Sequence, residues 1–248
     1  MDWSRAKTIL IIAFILLDLL LGFQLYTTMQ KKSQYMTSST TENTNLQSLL
    51  AKYQIRLEQP LPSSPKQIMA FKAKTTSIND WDKKGAEVYQ KTFTPPLAFK
   101  DEKHRTKILQ KEVPRFQDYV YSENDSTANK LVYLQMKGNQ PIYNSHFMVH
   151  LEHNKLKSIE LTHYQTTHSF PITLSDVNNT LAHLIQSGKL PKSGSPITIK
   201  EASLGYWAYP TADEQTILPV WRFYINDHFY LIPANDQQSK NVEIIKKL

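Results

Sequence analysis

The stretch 130–164, KLVYLQMKGNQPIYNSHFMVHLEHNKLKSIELTHY, decides the fold. Lys130 to Lys137, Pro141 to Glu152 and Lys155 to Tyr164 are three β-rich runs. Gly138-Asn139-Gln140 and His153-Asn154 separate them, and connections this short join antiparallel neighbours. Within Ser145 to Leu151, Phe147, Val149 and Leu151 share one face, and His146, Met148 and His150 share the other. A period of two predicts an antiparallel meander with one buried side.

Working outward toward the C-terminus, Thr173 is placed to cap a helix, with Asp176 three residues on in a variant of the capping box. Val177, Leu181, Leu184 and Ile185 form the apolar stripe of that helix, and Gly188 supplies its stop. Three more strands follow, Ile197 to Tyr209, Ile217 to Ile225 and His228 to Pro233, the last two joined by the hairpin pair Asn226-Asp227. Toward the N-terminus, Leu46, Leu49, Leu50 and Tyr53 keep helical spacing, Pro60, Pro62 and Pro65 break it, and Gln67 to Lys74 alternates as a strand. Trp81 to Gln90 reads as a short helix that Pro95-Pro96 ends. The class is α+β: antiparallel sheets packed with few helices, in two modules over 46–165 and 166–248.

Ahead of this body lies one long apolar run, Thr8 to Tyr26, in which Asp18 is the only ionisable side chain of the span Ile9 to Phe23. A helix over those residues would be about 28 Å long, close to the ~30 Å hydrocarbon core of a bilayer. Trp3 and Tyr26 stand where interfacial aromatics sit, and Arg5, Lys7, Lys31 and Lys32 bracket the run. A cleaved signal peptide has a shorter apolar core and a small-x-small cleavage site, and Tyr26-Thr27-Thr28-Met29-Gln30-Lys31 offers none. The reading is a cytoplasmic tail over 1–7, a transmembrane helix over 8–30, a Ser/Thr-rich linker over 31–45, and an extracellular body. The chain is thus expected in the cell membrane as a single-pass protein.

Composition narrows the function. The chain has no cysteine, which removes disulfides, thiolate nucleophiles and cysteine metal sites. With 40% hydrophobic and 11% aromatic residues the body can build a core. The formal charge of +7 is scattered, so it reads as solubility charge and gives no nucleic-acid footprint. Lys100 to Lys111 is read as a solvated helix face. There is no Gly-rich phosphate loop, no G-x-S-x-G elbow and no H-E-x-x-H helix, and six glycines leave little material for phosphate nests. His146 and His150 would lie about 13 Å apart along a strand, too far to share one ion unless the strand bends. No metal, cofactor or catalytic residue is therefore assigned. The aromatic C-terminal run (Tyr206, Trp207, Tyr209, Trp221, Phe223, Tyr224, Phe229, Tyr230) packs a sheet core, or alternatively lines a groove for wall polymer or peptide.

Asp18 carries the strongest signal. A carboxylate near the bilayer centre costs about 2.5–3.5 kcal/mol on insertion scales, so such a residue usually faces protein. Gly22 follows four residues later on the same helical face, with Ile11, Ile15 and Leu25. A small residue beside a polar one lets a second helix come close and hydrogen-bond. This stripe is expected to bind a partner helix in the membrane.

Several segments resemble one known family. Met1-Asp2-Trp3-Ser4-Arg5-Ala6-Lys7-Thr8, followed at once by an Ile/Leu/Phe helix holding an acidic residue, is similar to the start of the YycI (WalI) family. Leu161-Thr162-His163-Tyr164-Gln165-Thr166 is similar to its Tyr-x-Gln-Thr strand end. Leu204-Gly205-Tyr206-Trp207 and Leu218-Pro219-Val220-Trp221-Arg222 resemble its paired strand motif. The resemblance implies a non-enzymatic single-pass membrane protein of low-GC Gram-positive bacteria with YycH-like α+β modules outside the cell. It also implies work with a YycH-type regulator on the sensor histidine kinase (WalK/YycG) of the cell-wall two-component system, through contacts that include transmembrane helices.

Overall fold

The computed structural model describes residues 14, 17, 18, 42–190, 196–212, 214–235 and 243–246, with 42–45 and 243–246 described by backbone alone. Residues 1–48 and 49–248 are separate compact units. In the first, Phe14, Leu17 and Asp18 have helical backbone and exposed side chains. The rest of the expected membrane-spanning run lies outside the described residues. Among the described residues no helix is long and apolar enough to cross a membrane. Helix α1 (Glu42–Lys52) precedes the body.

The body is sheet-rich, as expected. Its strands are β1 (Ile55–Leu57), β2 (Gln67–Thr75), β3 (Asp82–Lys83), β4 (Tyr89–Leu97), β5 (Tyr119–Thr127), β6 (Lys130–Lys137) and β7 (Gln140–Glu152). Then come β8 (Lys155–Leu161), β9 (Tyr164–Thr173), β10 (Ile197–Pro210), β11 (Gln215–Ile225), β12 (His228–Pro233) and β13 (Glu243–Lys246). Hydrogen bonds join all thirteen in the order β13-β12-β11-β10-β7-β8-β4-β3, with β1 on β10, β2 between β11 and β9, and β6 between β5 and β7. The expected boundary at 165/166 falls inside β9, whose partner β2 comes from the first half of the body.

The turns follow from residues able to take positive φ. His153-Asn154 (φ 49° and 60°) and Asn226-Asp227 (φ 43° and 66°) have both central residues left-handed, the type I′ pattern that matches strand twist. Gly138 (φ 60°) opens the β6–β7 turn. Phe147 and Val149 are fully buried, as the alternation predicts, and join Leu131, Tyr133, Ile159 and Leu161 in the core beneath helix α2 (Glu102–Glu112). Leu109 of α2 and Val113 just after it reach that core, while most of the helix surface is solvated.

Two readings need correction. Trp81 to Gln90 is not a helix; it supplies β3 and the start of β4. Pro95-Pro96 lie inside β4, in the stretch between Thr92 and Leu97 where pairing with β8 is interrupted and a missing N–H breaks no ladder bond. The cap of helix α3 (Val177–Gln186) is Asp176 rather than Thr173: its carboxylate accepts from Asn178 N–H at 2.8 Å. Val177, Thr180, Leu181, Leu184 and Ile185 are buried on one face of α3, and Gly188 (φ 68°) stops it.

Candidate functional site

Of the five residues expected to form the membrane face, Asp18 is described, in helical backbone and exposed; Ile11, Ile15, Gly22 and Leu25 lie outside the described residues. The body shows where the other motif segments go, and it brings them together inside the sheet. Tyr164 N–H donates to Gln135 Oε1 (3.0 Å) and its carbonyl accepts from Gln135 Nε2 (2.8 Å). Ser145 Oγ shares its one proton between Gln135 Oε1 and the Thr162 carbonyl at 3.1 Å, and that carbonyl also accepts from Tyr119 Oη (2.9 Å). Tyr164 Oη donates to Glu87 Oε2 (2.6 Å), whose other oxygen accepts from Gln215 Nε2. Burial raises the Tyr164 phenol and the adjacent Glu87 carboxylate raises it further, so the hydroxyl keeps its proton and stays a donor.

The C-terminal motifs are equally internal. Tyr206 Oη donates to the Met69 carbonyl (2.8 Å), and burial raises its pKa to about 12. Trp221 is fully buried and its indole N–H donates to the Ser175 carbonyl at 3.0 Å. Arg222 donates to Asp125 Oδ2 (3.0 Å) with both side chains about nine-tenths buried. Its guanidinium lies between the Tyr143 and Phe229 rings, at 4.3 and 4.5 Å. A guanidinium between two ring faces with a carboxylate at its edge has its charge satisfied without water. Gly205 sits against Tyr143 so closely that a Cβ there would meet the ring at 2.5 Å. These motifs hold distant strands together.

The aromatic run divides accordingly. Tyr206, Trp221, Phe223, Phe229 and Tyr230 are core residues, leaving Trp207, Tyr209 and Tyr224 half-buried. Five of the eight rings are thus closed to a groove ligand. His146 and His150 share a face of β7 in unbroken register with Leu134 and Lys130, so the strand does not bend to bring them together. Among the described residues no cluster of His, Cys, Asp or Glu has the form of a metal site.

The described surface of the body carries at least two clefts: an open one of about 370 Å³ lined by Lys72, Lys74, Thr211, Ala212 and Glu214, and a more enclosed one of about 170 Å³ between the loop after β2, the segment after α2 and the β8–β9 corner. Its inner wall is His163, with a side chain only 4% exposed. The His163 nitrogens are both engaged: Nδ1 lies 2.7 Å from Thr76 Oγ1 and Nε2 lies 3.2 Å from Asp118 Oδ2. An ionised Asp118 only accepts, so Nε2 carries the proton and Nδ1 accepts from the Thr76 hydroxyl. Burial lowers the His163 pKa, against the opposing pull of Asp118, and this keeps the ring neutral. The arrangement locks three segments together. Arg115 stands at the mouth in a left-handed backbone conformation (φ 56°, ψ 35°), with its nearest carboxylate, Asp118, 4.0 Å away.

Sequence reasoning missed Glu87, Gln135, Asp125, Thr76 and Arg115. The bonds that tie Glu87, Gln135, Asp125 and Thr76 to Tyr164, Gln215, Arg222 and His163 span 29 to 128 residues, so no local spacing marks them, and Arg115, paired with Asp118 three residues on, stands in a segment without periodicity.

A family profile described as YycI protein matches residues 32–243. No curated protein matches the sequence. Among solved structures, the chain is similar to an uncharacterized protein from Eubacterium rectale ATCC 33656, with a TM-score of 0.44 and 9% identity over 82% of this chain and 93% of that one.

Proposed function

The chain belongs to the YycI family, and from that premise we propose that it is a membrane-anchored, non-enzymatic regulator of a cell-wall sensor histidine kinase, acting with a YycH-type partner. YycI is a regulatory family of the WalK/YycG two-component system, and the match over residues 32–243 is the observation that carries the reading. In this reading residues 8–30 cross the bilayer with the N-terminus in the cytoplasm, the expected linker 31–45 acts as a tether up to the start of helix α1 at Glu42, and the body stands outside the cell. The stripe Ile11, Ile15, Asp18, Gly22 and Leu25 packs against partner helices. Supporting it are the apolar length of the run, its flanking charges and the single carboxylate beside a glycine.

Regulation of this kind is a difference in affinity. A bound helix shifts the kinase between signalling states only by the amount it prefers one of them, and about 1.4 kcal/mol changes their ratio tenfold. The test is a photo-crosslinker at position 18 or 22 of the full chain in living cells. The expected adduct is a histidine kinase or a YycH-type protein; adducts to lipid alone would refute the reading. Asp18→Leu should weaken recovery of the partner about threefold to thirtyfold, the range for one polar contact between membrane helices.

A further inference from the structure

The cleft beside His163 has a composition that points to a ligand class. Its polar lining is Thr76, Ser77, Asn79, Arg115 and His163; its apolar lining is Ile78, Pro114 and Leu161. Thr76 and His163 are occupied with each other and with Asp118, so they form a fixed wall. Asn79 and Ser77 are exposed, and so is Arg115, whose ion pair with Asp118 is at the outer limit of such contacts at 4.0 Å. A guanidinium presents five N–H donors in a planar fork suited to a carboxylate, and one contact of that length leaves most of them to solvent. Arg115 itself lines the cleft.

Arg115 also holds a left-handed backbone conformation, which L-residues other than asparagine and aspartate seldom adopt. Behind it, Ile78 and Leu161 are buried members of the main core, so the floor of the cleft is rigid and apolar. A volume of about 170 Å³ holds only a handful of non-hydrogen atoms.

We infer that this cleft binds small monocarboxylates, with Arg115 taking the carboxylate and Ile78, Pro114 and Leu161 the short aliphatic body. The site is independent of the membrane reading above and survives if that reading fails.

Full-length chain in detergent micelles, labelled at histidine, is titrated with isobutyrate at constant ionic strength, and separately with isobutyramide, which has the same shape and no charge. The His163 ring signal, identified by its loss in His163→Gln, should shift saturably with isobutyrate and about tenfold more weakly with isobutyramide, since the charge-assisted bidentate bond is absent. Arg115→Gln should weaken isobutyrate by a similar factor and leave isobutyramide unchanged. No saturable shift up to about 100 mM, far above the millimolar range of weak specific sites, would overturn the inference, as would equal binding of acid and amide. Should Arg115→Gln fail to fold, the acid–amide comparison on the unaltered chain decides.

Discussion

Replacing Gly205 by alanine adds one methyl group to a place with no room for it. The new Cβ would lie 2.5 Å from Tyr143 Cε2 and 2.7 Å from both Tyr143 Cζ and the Pro141 carbonyl oxygen. Non-bonded carbons rest at about 3.5–4.0 Å, so something must move by roughly 1 Å. The Pro141 carbonyl belongs to β7, paired with β6 at Met136, and gives little. The Tyr143 ring is held by Arg222 on its face and Ser203 at its hydroxyl, so displacing it disturbs the buried Arg222–Asp125 pair as well. Overpacking of this kind costs about 1–3 kcal/mol, and the rigid surroundings put Gly205→Ala in the upper half of that range. At ~2–4 °C per kcal/mol for a body of this size, the unfolding midpoint should fall by about 4–12 °C. Thermal unfolding of the full chain followed by tryptophan fluorescence reads this directly, with Trp221 fully buried as reporter. Gly85→Ala is the control: nothing lies within 4 Å of its Cβ, so the midpoint should hold or rise by about 1–4 °C, from the ~0.4–1 kcal/mol of lost unfolded-state freedom. A Gly205→Ala midpoint no lower than that of Gly85→Ala would refute the packing argument. A Tyr143→Ala background should reduce the penalty, because two of the three crowded atoms belong to that ring.

Asp125→Ala would leave the Arg222 guanidinium buried without a counter-charge and should cost about 3–5 kcal/mol, read as a lower denaturant midpoint; Arg222→Met in the same chain should recover part of it. Because burial holds the folded His163 pKa below its ordinary 6.5, the unfolded chain binds more protons as pH falls through that value. The contribution of His163 is therefore fully present above about pH 6.5 and is lost as pH falls through the folded pKa. His163→Gln should flatten the decline of unfolding temperature between about pH 7 and 5; His146, also lowered by burial, accounts for a remaining slope, and an unchanged slope in the double variant would refute the assignment.

The parts of this fold legible in the sequence are those whose cause is local. Phe147 and Val149 alternate with His146 and Met148 because a strand has a period of two, and Asn226-Asp227 announces its turn because few other pairs accept positive φ twice. Helix α3 shows its stripe and its glycine stop in ten residues. Strand β9 was invisible beyond Tyr164 because most of it is exposed: Gln165, Thr167, His168 and Ser169 face solvent and carry no apolar alternation. Trp81 to Gln90 misled because its apolar spacing is ambiguous over so short a length, and the pairing of Tyr89 with Leu161 decides its state. The sequence motifs were found as strings, but their work is long-range. Tyr164 and Arg222 matter through Glu87 and Asp125, which no periodicity connects to them.

The magnitudes also fit a regulator better than a fixed structural partner. One polar contact between membrane helices is worth about 0.6–2 kcal/mol, and a kinase near balance between two states needs about 1.4 kcal/mol for a tenfold change in their ratio. Under the proposed function, if that contact forms in only one of the two states its whole worth becomes the preference, enough to bias the equilibrium and too little to lock it, since moving a population from 1:99 to 99:1 takes about 5.5 kcal/mol. On the proposed function, adding a second polar residue to the stripe, as in Ile15→Asn, would move it toward locking, and kinase output read by a target-promoter reporter should then become fixed at one level; output as variable as in the unaltered chain would refute this.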